Sequence, residues 1–456
     1  MFVIAQTEYM TFRASAHHGT RVSTGRIKNR RLVEGLMAKV LTLDEVDLEG
    51  RTVLVRVDIN SPLDPETNVF LDDTRIRRII PTLNKLSKSK VVLLAHQSRP
   101  GKKDFTSTLG HSRELGRLLG RTVKWVDDIY GKKALNAIEN LEDGELLMLN
   151  NVRMDEEENN TKGNFSVMAE TQMVQNLSMI ADAFVNDAFA CAHRSSPSIV
   201  GFTNTLPCIA GELMNYELSK LGQALENPVR PCIAVLGGIK VDDSVTVADN
   251  MLRGGTCDHI WTTGGVANLF LFISGIDIGE TNVSFLKGEL GKAWGETIAK
   301  AGQLLIDYPE CIIMPSDVAV DIGGNRVDHS IKNLPIEAPI FDMGITSVRA
   351  LSRAIKNAGT IILNGPAGVF ERTDFALGTV EMLNACAEGE GYAVMGGGHT
   401  ATLVSQRGLA DKMGHVSTGG GACLDLLAGR TLPGVASLEE SANQFRFSIS
   451  KPLDHQ

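Results

Sequence analysis

Several protein classes are excluded by what this sequence of 456 residues lacks. No apolar run approaches the roughly 18 residues that a membrane-spanning helix needs, so we expect no membrane partner. The seven cysteines are odd in number and form no C-x-x-C pair, which argues against a disulfide framework and a zinc cage. This pattern is typical of a reducing compartment, and we expect a cytoplasmic protein. Aromatic residues make up only 5% of the chain, so Ile, Val, Leu and Ala must build the core.

An excess of basic charge and the common catalytic motifs are also missing. The net charge is −9 and the sequence pI is about 5.7, which argues against a nucleic-acid partner because nucleic acid requires a basic face. An anionic substrate stays possible, since a local basic pocket can exist on an acidic protein. The chain contains no G-x-x-x-x-G-K-[ST] loop, no G-x-G-x-x-G in a dinucleotide-binding context, no G-x-S-x-G, no H-E-x-x-H and no protein-kinase signature.

Short β-branched runs alternate with helical stretches from residue 37 onward. The ten runs lie at residues 52–57, 90–95, 145–149, 183–186, 232–236, 260–263, 311–314, 360–363, 392–395 and 415–417. Helical periodicity follows most of them, for example at residues 76–87, 166–180, 288–306 and 347–357. This alternation predicts βαβ units and largely parallel sheets. Ten strands are too many for one comfortable open sheet, so the chain must divide.

The dividing point is predicted at residues 211–231, where one amphipathic helix ends at two prolines. We therefore predict an α/β fold of two Rossmann-like three-layer lobes with mainly parallel sheets, joined by a long connecting helix. The predicted boundaries are 37–212 for the N-terminal domain, 213–231 for the inter-domain helix, 232–430 for the C-terminal domain and 431–456 for a segment that returns to the N-terminal domain. Residues 1–36 are interpreted as a tail or an upstream start before Met37, with a targeting peptide as the alternative.

Polar side chains follow the strands of the first lobe, at the sheet edge where open parallel sheets bind ligands. Asp58 and Asn60 follow the first run, and His96 and Ser98 follow the second. Four arginines belong to the same edge, and each alone would be an ordinary surface charge. They are Arg75, Arg99, Arg153 and Arg194. Guanidinium groups bind phosphate and carboxylate through paired hydrogen bonds, so the set predicts a site for a small, multiply anionic ligand.

Glycine-rich turns follow the strands of the second lobe. The turns lie at residues 237–240, 264–265, 364–368, 396–400 and 418–421. Glycines before a helix let backbone N–H groups and the helix dipole face phosphate oxygens. One such turn is weak evidence, whereas several in one lobe indicate a nucleotide site. A small-anion lobe and a nucleotide lobe together predict a phosphotransferase with two substrates.

Seven ordered motifs, spread from about residue 50 to 430, resemble the phosphoglycerate kinase family, and their variants are closer to the archaeal pattern. They are residues 56–62 (RVDINSP), 96–100 (HQSRP), 184–189 (FVNDAF), 192–194 (AHR), 237–241 (GGIKV), 363–371 (LNGPAGVFE) and 415–422 (HVSTGGGA). The resemblance implies reversible phosphoryl transfer between 1,3-bisphosphoglycerate and ADP, giving 3-phosphoglycerate and ATP, with Mg²⁺. It also implies a monomer and an enzyme of glycolysis.

The resemblance further implies roles for single residues. Arg75, beside the acyl group, and Lys240, on the nucleotide side, would stabilise the transferring phosphoryl group. The implied substrate-binding residues are Asp58, Ile59, Asn60, Arg75, His96, Gln97, Ser98, Arg99, Arg153 and Arg194. The implied nucleotide-binding residues are Lys240, Gly264, Gly265, Asn364, Pro366, Glu371, Gly396, Gly397, Gly398, His399 and Thr400.

Three departures from the common family pattern concern the phosphate-binding residues. His399 stands where the family has an Asp that binds the Mg²⁺ of the nucleotide, and imidazole is a poor ligand for this cation. The metal ligands are therefore unassigned, with Asp243 as one candidate. Ser244 replaces a second lysine, and Ser195 and Ser196 lie where a second histidine follows Ala-His-Arg. The changes at His399 and Ser244 motivate an alternative, a catalytically impaired scaffold or binding protein of the same fold. A kinase for another small acid is weaker, because the basic set around Asp58 and Asn60 persists.

Overall fold

The computed structural model describes residues 39–396 and 398–449, with the backbone alone at residues 398, 399 and 447. The described residues all belong to one compact unit. The expectations for residues 1–36, for Gly397 and for the side chain of His399 lie outside the described residues.

Sixteen strands occur in the described part of the chain. They are β1 (Leu41–Thr42), β2 (Thr52–Val57), β3 (Lys90–Leu94), β4 (Lys124–Trp125), β5 (Leu146–Met148), β6 (Ala183–Asp187), β7 (Cys208–Ala210), β8 (Cys232–Leu236), β9 (His259–Thr262), β10 (Ile312–Ile313), β11 (Asp317–Ile322), β12 (Asn325–Ser330), β13 (Ile340–Met343), β14 (Thr360–Asn364), β15 (Tyr392–Gly396) and β16 (His415–Val416). Each of the ten predicted runs coincides with one of these strands.

Two parallel sheets confirm the predicted α/β class. The first has seven strands in the order β1-β7-β6-β2-β3-β5-β4, and the second has six in the order β10-β9-β8-β14-β15-β16. Every strand pair in both sheets is parallel. The central strand β8 is buried throughout and β2 is buried apart from its first residue, as expected for sheets covered on both faces.

A third, antiparallel sheet was not predicted. It has the order β12-β11-β13, and its first hairpin turns at Gly323 and Gly324, which both have positive φ. A Gly-Gly pair between two strands is a recognised hairpin signal. The flanking polar residues of β12, such as Arg326 and Asp328, obscured the alternation that marks a strand. The prediction also missed β1, β4 and β7, because two or three residues carry too little pattern to be detected.

Eighteen α-helices accompany the strands in the described ranges. They are α1 (Thr74–Arg78), α2 (Ile80–Lys85), α3 (Leu109–Leu119), α4 (Lys132–Glu139), α5 (Glu156–Asn160), α6 (Phe165–Ala169), α7 (Gln172–Ser178), α8 (Pro197–Val200), α9 (Glu212–Glu226), α10 (Val241–Gly254), α11 (Gly264–Ile273), α12 (Glu280–Leu290), α13 (Trp294–Asp307), α14 (Ile345–Lys356), α15 (Leu377–Glu388), α16 (Gly398–Gln406), α17 (Gly420–Leu427) and α18 (Pro433–Ile449).

Three predicted helices are each interrupted. Residues 76–87 form α1 and α2, because Pro81 lacks an N–H group and begins a new helix. Residues 166–180 form α6 and α7, where the Thr171 hydroxyl donates to the Met168 carbonyl oxygen at 2.8 Å and closes the first helix. Residues 288–306 span the end of α12 and all of α13, and the break lies at Gly291, which has a φ of 48°.

Two helices tie distant parts of the chain together. The connecting helix α9 runs from Glu212 to Glu226, and its apolar side is buried. The last helix, α18, packs against the first sheet, where the Ser441 hydroxyl accepts from the Cys208 N–H of β7 at 2.8 Å. Residues from both sheets, including Leu54 and Ala234, belong to one continuous apolar cluster. Within the described ranges, no helix is both long and apolar enough to cross a membrane.

Candidate active site

The carboxyl edge of the first sheet holds a buried ion pair. Asp58 directly follows β2, and its Oδ2 atom contacts Arg75 Nη1 from α1. The Asp58 side chain is 5% exposed, whereas that of Arg75 is 36% exposed. The other oxygen of Asp58, Oδ1, accepts from the Asn60 N–H at 3.2 Å. Arg75 therefore reaches the edge from a position that is still open to solvent.

A chain of hydrogen bonds joins Asn60 to Arg153. The Asn60 Oδ1 atom accepts from the Ser98 N–H at 2.8 Å, and Arg153 Nη1 donates to the Ser98 carbonyl oxygen at 2.8 Å. Ser98 has a φ of 56°, a left-handed conformation that a non-glycine residue rarely adopts. Its hydroxyl donates to Asp104 Oδ1 at 2.7 Å, which stabilises that conformation locally. Strained backbone of this kind is common at binding sites.

Two of the predicted substrate-binding residues lie in the interior instead of facing the crevice. Gln97 is fully buried, and its amide exchanges hydrogen bonds with the Ser61 backbone at 3.2 and 3.0 Å. Its Oε1 atom also accepts from His111 Nε2 at 3.0 Å. Ile59 is buried in the core of the first sheet. Gln97 and Ile59 thus hold the 58–61 loop in place, and their side chains support the site from behind.

Arg56 is a site residue that the sequence analysis did not single out. It lies within β2 and is only 2% exposed. Its Nη2 atom donates to His96 Nδ1 at 3.1 Å, and its Nε atom donates to the Ser198 hydroxyl at 3.0 Å. The available signal was an arginine inside an otherwise apolar strand, because a fully buried arginine requires partners.

His96 lies among several positive charges. Burial is the main cause that lowers its pKa well below the usual value, followed by the charges of Arg56, Arg153, Arg194 and Arg75. His96 is therefore a neutral hydrogen-bonding group at physiological pH. Burial also lowers the pKa of Arg153, and the nearby Arg194 adds to this effect. The concentrated positive field at this edge favours a multiply anionic ligand.

Two predicted phosphate-binding arginines are exposed. Arg194 belongs to the group around His96, and its Nε atom donates to His193 Nε2 at 3.3 Å. Arg99 is also exposed, and among the described residues its side chain makes no hydrogen bond or ion pair. The structure therefore brings Arg75, Arg153 and Arg194 together and leaves Arg99 at the rim.

Asp58, His96 and Cys191 offer ligand atoms that lie within 4.8 Å of one another. Their partners argue against a metal ion here. Asp58 is already paired with Arg75, and His96 Nδ1 accepts from Arg56. A thiol and an imidazole are also unsuited to Mg²⁺, which prefers oxygen. The surrounding arginines make this group part of an anion site.

Three glycine turns pack tightly at the carboxyl edge of the second sheet. The Gly237 N–H donates to the Asn364 carbonyl oxygen at 2.8 Å, and the Gly238 N–H donates to that of Pro366 at 2.9 Å. The Gly265 N–H donates to the Gly238 carbonyl oxygen at 3.0 Å. Gly264 has a φ of 53°, and a Cβ atom there would lie 3.0 Å from the Gly238 nitrogen. Glycine is required because the turns approach so closely.

Several N–H groups of these turns are thus bonded within the protein. The N–H groups of Ala367 and Gly368 both donate to the Thr379 hydroxyl, at 3.0 and 3.2 Å. These turns therefore give the second edge its shape, and they offer fewer backbone donors to phosphate than the sequence analysis expected.

Lys240 is the exposed cation of the second edge. It is the residue before α10, and the described side chains form no ion pair with it. Ser244, at the position of the absent second lysine, is fully buried and accepts from Asn364 Nδ2 at 3.5 Å. Glu371 is exposed farther along the edge. Thr400 in α16 is buried, and so is Gly396 at the end of β15.

The unpredicted antiparallel sheet supports the turn at residues 364–371. Arg326 of β12 forms an ion pair with the buried Asp342 of β13 at 2.8 Å and also donates to the Asp374 carbonyl oxygen at 3.2 Å. The same Asp342 oxygen accepts from the Gly378 N–H at 2.8 Å. Burial raises the pKa of Asp342, and the hydrogen bond from Arg326 opposes this shift. These hydrogen bonds fix the backbone at Asp374 and Gly378, in the segment that follows the turn.

Asp243, the candidate metal ligand, is paired with a cation. Its Oδ1 atom lies 3.2 Å from Arg430 Nη2, and Arg430 also contacts Asp425 at 2.6 Å. A carboxylate held by arginine is a poorer magnesium ligand than a free one. The described side chains therefore supply no evident carboxylate cage for Mg²⁺ at this edge.

A buried hydrogen-bonded pair links α9 to the last strand of the second sheet. Glu217 Oε2 lies 2.7 Å from His415 Nε2, and both side chains are buried. Glu217 Oε1 accepts from the N–H and the hydroxyl of Thr418, each at 2.7 Å. The pKa of Glu217 is lowered because hydrogen bonds from His415 and Thr418 outweigh the opposing effect of burial. This pair fixes the turn that opens α17.

An arginine-rich edge on one parallel sheet and a glycine-turn edge on another are typical of a two-substrate phosphotransferase. The phosphoglycerate kinase family model matches residues 43–430 of the chain. The chain belongs to this family. It is accordingly a kinase of glycolysis that transfers a phosphoryl group between 1,3-bisphosphoglycerate and ADP.

Individual relatives agree with the family match. A phosphoglycerate kinase from Methanobacterium bryantii is 47% identical over 401 residues, which cover 88% of this chain and 97% of the relative. The crystal structure of phosphoglycerate kinase from Pyrococcus horikoshii OT3 has a TM-score of 0.79 and 37% identity, covering 89% of this chain and 100% of that one. A phosphoglycerate kinase structure from Coxiella burnetii has a TM-score of 0.72 and 30% identity, covering 88% and 100%.

Proposed function

We propose that the two sheet edges divide the reaction between them. The first edge binds 3-phosphoglycerate or 1,3-bisphosphoglycerate, and the second binds ADP or ATP. The observation that carries this proposal is the group of arginines around the neutral His96, opposite in character to the glycine turns around Lys240. We further propose a cytoplasmic monomer with no nucleic-acid or membrane partner, divided at residues 212 and 231 as the sequence predicts.

Substrate binding at the first edge rests on charge and hydrogen bonding. Arg153 and Arg194 hold the distal phosphate with His96, and Arg99 contributes from the rim. Asp58 and Asn60 bind the glycerate portion, with Ser98 completing the edge. Support comes from the hydrogen bonds that already join Asn60, Ser98 and Arg153.

Phosphoryl transfer itself requires alignment and charge neutralisation more than acid–base chemistry. A carboxylate nucleophile is ionised at neutral pH, so no general base is needed. Arg75 stabilises the transferring group from the first edge, and Lys240 does so from the second. Both cations are accessible to solvent. Closure of the two lobes over the substrates would exclude water from the reactive acyl phosphate.

Nucleotide binding at the second edge follows the glycine turns. Gly264 and Gly265 border the adenine pocket, Asn364 and Pro366 meet the phosphates, and Glu371 meets the ribose. The segment formed by Gly396, Gly397, Gly398, His399 and Thr400 receives the phosphates at the start of α16. We propose that Mg²⁺ is held chiefly by the nucleotide phosphates and water, where it neutralises charge, because Asp243 is paired with Arg430.

A coupled assay with purified protein, 3-phosphoglycerate, ATP and Mg²⁺ tests the activity, and calorimetry tests the two sites separately. We expect turnover and independent binding of each substrate. Folded protein that binds one substrate or neither, without turnover, would instead support a scaffold. That alternative is motivated by the buried Ser244.

A further inference from the structure

Four buried side chains form a continuous hydrogen-bond chain that ends at His96. Glu158 Oε1 lies 2.7 Å from the Ser198 hydroxyl, which lies 3.0 Å from Arg56 Nε. Arg56 Nη2 then lies 3.1 Å from His96 Nδ1. None of the four side chains belongs to a residue more than 7% exposed. The chain runs from α5 through α8 and β2 to His96, the second residue after β3.

The direction of each hydrogen bond follows from the chemistry of the groups. A guanidinium has only donors, so Arg56 must donate at both ends. His96 Nδ1 therefore accepts, and a neutral ring must carry its proton on Nε2. The Ser198 hydroxyl likewise accepts from Arg56 Nε, so its own proton is directed to Glu158. The tautomer of His96 is thus specified by buried neighbours.

Glu158 acts as the terminal acceptor of this chain. Its carboxyl group accepts from the Ser196 hydroxyl at 2.9 Å and from the Ser198 N–H at 2.8 Å, as well as from the Ser198 hydroxyl. Burial raises the pKa of Glu158, and the charge of Arg56 opposes that shift. A buried cation and a buried carboxylate one serine apart compensate each other, as buried charges must. Glu158 thereby fixes Ser198 and, through it, the plane of the Arg56 guanidinium.

We propose that Glu158 is a positioning residue for phosphoglycerate binding: through Ser198 and Arg56 it keeps the His96 proton on Nε2, so that the ring offers an N–H donor to the anionic substrate. This inference rests on the proposed role of His96 at the first edge. The proton placement itself is a property of the protein without substrate, and it can be measured independently of activity.

Nitrogen-15 NMR of the histidine side chains tests the proton placement in the free enzyme. Correlations between the ring nitrogens and ring protons distinguish a protonated nitrogen from a bare one, and His96→Gln identifies the signal. We expect His96 to be neutral at pH 7 with its proton on Nε2. A proton on Nδ1, or a charged ring at pH 7, would overturn the proposal at once.

Two serine variants separate the chain from its surroundings. Ser198→Ala interrupts the chain between Glu158 and Arg56, whereas Ser196→Ala removes a hydrogen bond to the same carboxylate without touching Arg56. We expect Ser198→Ala to change the protonation pattern of His96 and Ser196→Ala to leave it unchanged. An unchanged pattern in folded Ser198→Ala would contradict the proposed relay.

Kinetics of Glu158→Gln test the consequence for binding. Glutamine has only one accepting oxygen, so it cannot accept from both the N–H and the hydroxyl of Ser198. We therefore expect Ser198 and Arg56 to lose their fixed orientation. We expect KM for 3-phosphoglycerate to rise about tenfold, the size of a lost charge-assisted hydrogen bond, with KM for ATP unchanged. Glu156→Gln is the matched control, because this exposed neighbour on α5 undergoes the same chemical change, and it should behave as the parent.

The outcomes distinguish this inference from the assignment of the first edge. If Glu158→Gln and Ser198→Ala alter His96 in the NMR spectra but KM for 3-phosphoglycerate is unchanged, the role in substrate binding is refuted, and with it the placement of His96 at the phosphate. If KM for 3-phosphoglycerate rises while His96 keeps its proton on Nε2 in both variants, the relay is refuted and the binding edge stands.

Discussion

The two sheet edges that we propose as the substrate sites of this kinase are built by different physical means. The first edge depends on side chains, with arginines, a histidine and an aspartate joined through hydrogen bonds such as that from Arg56 to His96. The second depends on backbone geometry, with glycine turns that are bonded to one another beside the exposed Lys240. Removing a charged side chain from the first edge should therefore lower both activity and stability. At the second edge, removing the charge of Lys240 should lower activity alone, whereas replacing a glycine should lower stability.

Arg75→Ala should have the largest effect. We propose that Arg75 lies beside the transferring group, so its loss should lower kcat by about a thousandfold, with a smaller change in KM for 3-phosphoglycerate. The buried Asp58 would also lose its partner, so the melting temperature should fall. A coupled assay and calorimetry measure the two effects. Arg77→Ala, on the exposed side of α1, is the control, and a change confined to KM in Arg75→Ala would contradict the role in transfer.

Lys240→Ala should lower kcat by about a hundredfold and leave the melting temperature nearly unchanged, because this exposed lysine has no described ion-pair partner. The same assays compare it with Lys292→Ala, an exposed lysine in the stretch between α12 and α13. A large loss of stability in Lys240→Ala would remove the proposed contrast between the two edges.

Gly264→Ala tests whether close packing shapes the second edge. Its φ is positive, and the new Cβ atom would meet the Gly238 nitrogen, so we expect a loss of about 1–3 kcal/mol in the free energy of unfolding and a higher KM for ATP. Chemical denaturation measures the first effect. Gly288→Ala in α12 is the control, since a Cβ atom there meets nothing within 4 Å. Equal stability of the two variants would show that the turns do not require glycine.

Asp187, at the end of β6, makes a smaller, pH-dependent contribution to the free energy of unfolding. Burial raises its pKa from 3.8 to about 7, although it accepts from the Leu213 N–H at 2.8 Å at the start of α9. A carboxyl group whose folded pKa exceeds its unfolded pKa contributes stability below the unfolded value and loses it as pH rises through the folded value. The free energy of unfolding of the parent should therefore fall relative to Asp187→Asn between about pH 4 and pH 7. Chemical denaturation at several pH values measures this difference, and the same pH dependence in both proteins would contradict a raised pKa for Asp187.

Much of the fold and of the first edge could be predicted because both depend on local patterns. The ten buried runs signal their strands, and residues such as Asp58 and Asn60 follow strands directly. The supports could not be predicted in the same way. Arg326 reaches Asp342 and Glu158 reaches Ser198 across long stretches of chain, and no spacing rule connects such residues. The N–H groups of the glycine turns donate to carbonyl oxygens of neighbouring turns. These hydrogen bonds depend on how the turns pack together, which the sequence of one turn does not indicate.

The last helix, α18, constrains the order in which this protein can fold during translation. Because α18 packs on β7 and bonds to Cys208, the first sheet lacks part of its cover until residues 433–449 have left the ribosome. Part of the cover of the first sheet is thus supplied by residues that are translated after the strands of both sheets. Domains usually fold in the order in which they emerge, from the N-terminus onward. Here a nascent chain stalled before residue 433 should hold an incompletely packed first sheet. The first sheet therefore reaches its final packing only after α18 has been translated.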